Sequence, residues 1–270
     1  MRVLLTNDDG LQAEGLESLR RELLAIDGVE LDVIAPDSNR SATARSITTR
    51  SPLWVEEVPY EDGTVAYATE GTPVDCVRFA DLGLVGGTPD LIVSGINHGS
   101  NLGDDVTYSG TVAAAFEGII LGVPAIAFSQ QSIGRDMDFR LGRRFDFSAS
   151  APLAAEIVRV VIERGLPEGT LLNVNFPGGE MTEVEVTRLG KRIYNDELKK
   201  VESDGEVRHR YRIYGFEPSF EHEPGTDLTA ISEGRVAITP IHFDLTSHDE
   251  LDAVREWALE SLLPSPRSGR

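Results

Sequence analysis

Through its first 130 or so residues the chain alternates short apolar runs with amphipathic segments, separated by polar turns. Few architectures other than a parallel sheet wrapped by helices satisfy that pattern. Arg2 to Thr6 reads as a strand and Asn7-Asp8-Asp9-Gly10 as the turn that closes it. Leu16, Leu19 and Leu23 then recur with the helical period. Leu31 to Ala35 is a second strand, ending at Pro36-Asp37. Thr72-Pro73-Val74-Asp75 carries a helix-start signature, with Thr72 as N-cap and Pro73 in the first turn. Leu91 to Ile96 is a strongly apolar strand. Ser109-Gly110-Thr111 opens a helix with Val112, Phe116 and Ile119 on one face, and Ala125 to Phe128 is a further short strand. The expected fold class is α/β: a Rossmann-like, doubly wound, mostly parallel sheet.

Beyond residue 130 the alternation weakens. Gln130 to Asp146 reads as a polar loop, Leu153 to Arg164 as a helix, and Leu171 to Phe176 and Arg235 to Phe243 as strands. Residues 184–215 read as two extended arms joined by the charged segment NDELKKVESDGEVRHR, an exposed hairpin or partly disordered tip. Leu251 to Leu263 reads as a closing helix. One domain spanning 1–270 is expected. In it, 1–130 forms the α/β core, and 131–270 completes the sheet and supplies a hairpin and tail for self-association.

Charge narrows the partners. The formal net charge is −20, and of 25 basic residues only Lys191, Lys199 and Lys200 are lysine. A polyanion such as DNA or RNA would be repelled. Acid excess with arginine in place of lysine suits concentrated salt, where self-repulsion is screened within about 3 Å at 1 M; arginine-rich codon usage in a mildly acidic protein is the plainer alternative. No run of 18 apolar residues is present and MRVLLTNDDG lacks signal-peptide features, so a cytoplasmic protein with no membrane partner is expected. The single cysteine, Cys76, falls among apolar neighbours and reads as core.

Chemistry concentrates at the strand ends. Adjacent carboxylates such as Asp8-Asp9 repel unless a cation neutralises them, and an all-oxygen site suits Mg, Mn or Ca. Alone, the pair reads equally as a polar turn. Ala35 to Ser41 and Ser94 to Gly103 follow other strands onto the same rim, where a serine hydroxyl and an asparagine carbonyl could complete a hard-cation site. Each alone reads as a loop; three on one rim read as a site. At Ser109-Gly110-Thr111 a helix start offers free amides and a favourable dipole to an anion. Carboxylates for a metal beside amides for a phosphate suit phosphoester hydrolysis, with Asp9 positioning a water or taking its proton. His98, next to Asn97, could contact substrate but reads first as a solvated loop residue, and His242 reads as structural.

NDDG after the first strand, APDxxRS after the second, GTPxDCV at 71–77, SGIN…NLGDD…YSGT at 94–111 and ITPIHxDLT at 238–246 together resemble the SurE family of nucleotidases. The resemblance implies one divalent ion, Mg or Mn, held by Asp8, Asp9, Ser41 and Asn97. It implies phosphate near Asn97, Ser109, Gly110 and Thr111, with Asp8 and Asp9 catalytic. It implies hydrolysis of nucleoside 5′- and 3′-monophosphates, sometimes of short polyphosphate, by a homodimer or homotetramer assembled through the hairpin and C-terminal segment. The loops at 130–147 and 196–233 depart from the pattern.

A phosphotransferase using an aspartyl nucleophile calls for Asp-x-Asp after the first strand and a lysine near the phosphate; here the aspartates after that strand are adjacent and every lysine lies at 191–200. A P-loop motor calls for GxxxxGK[ST], which is absent from the sequence. A non-catalytic nucleotide sensor using the same cleft stays open at this point.

Overall fold

In the computed structural model, Arg2–Thr6 (β1) lies inside a nine-stranded sheet with Val3 to Thr6 buried. The structure describes residues 1–136, 142–194, 196–213, 219–257 and 259–262. On one side of β1 lie β2 (Glu30–Pro36), β4 (Val65–Thr69) and β3 (Val55–Pro59). On the other lie β5 (Leu91–His98), β6 (Ala125–Gln130), β7 (Thr170–Phe176), β13 (Val236–His242) and β8 (Val184–Val186). From β4 to β7 neighbouring strands are parallel, while β3 runs antiparallel to β4 and β13 antiparallel to β7. The chain leaves β1 for β2 on one flank and returns to β5 on the other. The crevice between β1 and β5 is therefore the point where strand order reverses, and ligands of such sheets bind at its carboxyl end.

Period-two alternation sorts the core into two layers. Val3 and Leu5 share a cluster with Leu16, Leu19 and Leu23 of α1 (Glu14–Leu24) and Ala154 and Val158 of α4 (Ser150–Arg164). Leu4, on the opposite face, packs with Val77 of α2 (Pro73–Asp81) and Val112 and Ala115 of α3 (Gly110–Leu121). Each fully buried leucine contributes roughly 2 kcal/mol. Cys76 lies in this second layer, fully buried, with its thiol pushed well above the usual range by burial. Gly15 brings α1 onto β5 directly, since a Cβ there would come within 2.0 Å of the Ile96 carbonyl oxygen.

The helix starts follow the sequence closely. Thr72 and Asp75 form a reciprocal capping box, and the Ser109 hydroxyl accepts from the Val112 N–H. Several other expectations are corrected. The sequence reading does not include β3 and β4: β3 is an edge strand that needs little hydrophobic patterning, and β4 lies inside it with Ala66 and Ala68 buried. The short helix α5 (Asp227–Ser232), capped by Thr226, was also not anticipated. The expected arms at 184–215 divide: β8 joins the main sheet, and Arg192–Ile193 (β9) pairs with Ser219–Phe220 (β12). The charged segment is itself the hairpin, Lys199–Asp204 (β10) against Arg208–Arg212 (β11). Cross-strand pairs such as Arg210–Glu202 at 2.9 Å support strands without an apolar face. The closing helix shrinks to α6 (Leu251–Arg255), followed by a 3-10 turn at Leu259–Leu262; Ala258 and Leu263 lie outside the described residues. Part of the 130–146 loop, residues 137–141, also lies outside them. No helix among the described residues is long and apolar enough to cross a membrane.

The excess of acid should tie stability to salt. We expect the melting temperature to rise from dilute buffer to molar KCl by on the order of 5 °C, as screening relieves self-repulsion. A flat or falling midpoint across the KCl series would remove the case for salt adaptation.

Candidate active site

The turn after β1 is built by Asn7, whose Oδ1 accepts from the Gly10 N–H at 3.2 Å and whose Nδ2 donates to the Gly10 carbonyl at 2.9 Å. This Asx-type closure carries Asp8 and Asp9 onto the rim of the β1/β5 crevice. Both carboxylates are buried: Asp8 is 3 % exposed, and the Asp9 side chain is 4 % exposed. Burial, followed by the neighbouring charge of Asp9, raises the Asp8 pKa to about 6, against a lowering hydrogen bond from Thr111. Burial likewise raises that of Asp9. Among the described residues no lysine or arginine pairs with either.

Each carboxylate is held from a different part of the chain. The Asp8 carboxylate accepts the Thr111 hydroxyl. Asp9 accepts from Asn39 Nδ2 at 3.0 Å and from the His98 backbone N–H at 2.8 Å. The Arg40 N–H donates to the Asp8 carbonyl at 2.6 Å, drawing the loop after β2 over the turn. In that loop the Ser41 N–H donates to Asn39 Oδ1 at 2.8 Å; the Ser41 hydroxyl is exposed and takes no partner among the described residues. Asn97, at the end of β5, spends its Nδ2 on the Gly99 carbonyl at 2.7 Å, leaving Oδ1 without a donor.

Asp8, Asp9, Asn97, Gly110 and Thr111 therefore converge on one crevice, with Ser41 on the adjoining loop. Ser109 serves first as N-cap of α3. Gly110 and Thr111 also do something other than the expected anion contact. A Cβ on Gly110 would lie 2.8 Å from Asp8 Cβ and 2.9 Å from its Oδ2, so the glycine makes room for a carboxylate. The Thr111 hydroxyl is likewise committed to Asp8. His98 corrects its sequence reading: its ring is part-buried, stacked at 5.0 Å on Phe145 and tilted at 5.1 Å against Phe147, with Nδ1 3.6 Å from Asp9. Burial lowers its pKa, against the raising influence of the Glu14 and Asp8 carboxylates.

A family model described as survival protein SurE matches residues 3–196. The chain belongs to the SurE family. A relative from Rubrobacter xylanophilus, named 5′-nucleotidase SurE, is 47 % identical over 97 % of this chain and 99 % of its own. Another of that name from Chloroflexus aggregans is 46 % identical over 96 % of this chain and 100 % of its own. The crystal structure of the SurE protein from Aquifex aeolicus superposes with a TM-score of 0.77 at 36 % identity, covering 96 % of this chain and all of that one.

Not every SurE-like motif of this chain reaches the crevice. In NLGDD, Asp104 accepts the Arg192 N–H at 3.0 Å, while Asp105 pairs with Arg192 at 2.9 Å and accepts the Tyr194 hydroxyl at 2.7 Å. That motif anchors the region leading to the hairpin. The first five residues of ITPIHxDLT lie on β13, whose antiparallel course puts His242 beside Thr170 at the start of β7, the end of the sheet opposite the carboxylates. Asn39 is the site residue that sequence reasoning passed over; it stood inside the Ala35–Ser41 segment, but only the fold shows it reaching Asp9.

Proposed function

We propose that this chain hydrolyses nucleoside 5′- and 3′-monophosphates to nucleoside and phosphate, using one divalent ion per subunit, Mg or Mn, as a cytoplasmic enzyme. It is a phosphoric monoester hydrolase of the SurE family. The observation that carries the reading is the buried Asp8-Asp9 pair at the strand-order switch point, set against the start of α3 with no lysine or arginine among the described residues to neutralise it. Such a pair fits a hard cation, because burial and mutual repulsion both penalise its ionised form until a positive charge is supplied.

Asp8, Asp9, the Asn97 Oδ1 and the Ser41 hydroxyl would hold the ion, an all-oxygen set suited to Mg or Mn. When bound, it would polarise a phosphoryl oxygen and make a coordinated water more acidic. Asp9, pinned by Asn39 and the His98 N–H, orients the attacking water and receives its proton. The start of α3 faces the phosphate with its dipole, and Thr111 keeps Asp8 aimed into the crevice. The His98 ring, backed by Phe145 and Phe147, keeps bulk water from one side of the pair.

Release of inorganic phosphate from AMP, with Mn or Mg in high salt, tests the reading. Activity should vanish with EDTA and return with added metal. Tight metal-dependent binding of AMP without phosphate release would replace the enzyme with a sensor.

The exposed hairpin β10–β11, with Val201 at 53 % and Tyr211 at 47 % exposed, and the tail with Trp257 at 68 % exposed, favour self-association. We expect a homodimer or homotetramer. Sedimentation in high salt giving only a 29 kDa species would count against it.

A further inference from the structure

We propose that a small cavity two strands away from the carboxylate pair, between the ends of β6 and β7 and the start of α4, receives the base of the nucleoside monophosphate. The proposal rests on the phosphomonoesterase reading and adds to it a substrate-selecting subsite.

The cavity measures about 150 Å³ and is lined in part by Gln130, Ile133, Ala149, Ser150, Pro177 and Met181. That is below the several hundred cubic ångströms that enclose a drug-sized ligand, and it suits a ring-sized fragment rather than a whole nucleotide. Ile133, Pro177 and Met181 offer apolar walls to the faces of a base. Two polar groups of lining residues lack partners among the described residues. Gln130 is 4 % exposed; its Nε2 donates to the carbonyls of Gln131 at 3.2 Å and Pro177 at 2.9 Å. Its Oε1 accepts nothing from them, and the Ser150 hydroxyl, on a residue 1 % exposed, has no partner among them either. Buried polar atoms are rarely left unpaired, and a base edge carrying an N–H donor and a ring acceptor would satisfy both.

Its position matches the reach of a nucleotide. Gln130 is the register partner of His98, and its carbonyl accepts the Gly99 N–H at 2.9 Å. His98 in turn touches Asp9. From β1 across β5 to β6 is two strand spacings, about 10 Å, on the order of the span from a phosphate across ribose to the far edge of a base. The ring of His98, stacked on Phe145, lies along that path and offers a surface for the ribose.

The test compares AMP with ribose 5-phosphate, which lacks the base, and adds calorimetric titration with adenosine, which lacks the phosphate. Ala149→Trp fills the cavity from an exposed position, and Ser150→Ala removes one orphaned hydroxyl. For Ala149→Trp we expect kcat/KM for AMP to fall at least about tenfold more than for ribose 5-phosphate, chiefly through KM, with adenosine binding weakened to a similar degree. Ser150→Ala should shift the same ratio in the same direction by roughly threefold. Equal changes for the two substrates, no change for either, or undiminished adenosine binding by Ala149→Trp would overturn the subsite while leaving the hydrolase intact. If the wild type releases phosphate from neither compound yet binds adenosine and loses it in Ala149→Trp, the subsite stands and the activity falls.

Discussion

Asp9→Asn should lower kcat for AMP by about 10³-fold at saturating metal without unfolding the chain. Both Asp9 oxygens accept hydrogen bonds, one from Asn39 Nδ2 at 3.0 Å and one from the His98 N–H at 2.8 Å. Asparagine keeps one acceptor and turns the other into a donor. Set toward His98, its NH₂ would face a backbone N–H that cannot rotate away. Set toward Asn39, it would force that amide to flip, and the flip would take Oδ1 from the Ser41 N–H it now accepts at 2.8 Å. The first choice sets two donors against each other at His98, the second disturbs the loop carrying Ser41, and both remove a negative charge from the pair. The fold should survive, because loss of that charge relieves the repulsion that holds the pKa of Asp8 up. Steady-state kinetics with AMP beside far-ultraviolet circular dichroism would check this. Activity within tenfold of wild type, or activity of the variant that persists in EDTA, would remove Asp9 from the mechanism.

Gly110→Ala should cost about 10²-fold in kcat/KM, the scale expected when a reacting group is displaced by about an ångström. The added methyl would sit 2.8 Å from Asp8 Cβ and 3.2 Å from its Cγ, closer than carbon atoms settle. Asp8 cannot simply turn aside, because the Thr111 hydroxyl grips its carboxylate. Either α3 backs away or the carboxylate leaves its place; both separate Asp8 from Asp9 and Asn97. Overpacking of this kind also destabilises by about 1–3 kcal/mol, so the melting temperature should fall by several degrees. A variant with wild-type kcat/KM would mean that the contact between α3 and Asp8 is incidental. Thr111→Ala separates the two effects: it frees the carboxylate without crowding it, so it should loosen metal binding along with substrate binding.

Much of the fold was legible because its signals are short-range. The run Val3–Thr6 declares a buried strand, Asn7 and Gly10 close the turn, and Leu16, Leu19 and Leu23 declare a helix face. Thr72 with Asp75, and Ser109 ahead of α3, declare helix starts; in every case the partners lie within a few residues. Asp8, Asp9 and Asn97 could be placed on one rim for the same reason, since the end of a parallel strand is itself a local signal. The hairpin was half legible: its charges marked exposure, but strands held by cross-strand ion pairs have no apolar alternation to read.

What the sequence by itself determined, then, is the doubly wound sheet, its capped helices and the two aspartates at the end of β1. Tertiary structure alone decided what grips those aspartates. Asn39, the His98 amide and Thr111 reach them across 30, 89 and 103 residues, and no periodicity encodes such distances. It alone decided that Gly110 is a glycine for the sake of Asp8, that β3 and β4 extend the edge, and that Gln130 and Ser150 meet at one cavity. The physical reason is that a hydrogen bond or steric fit between distant segments exists only after the hydrophobic layers have brought their strand ends together.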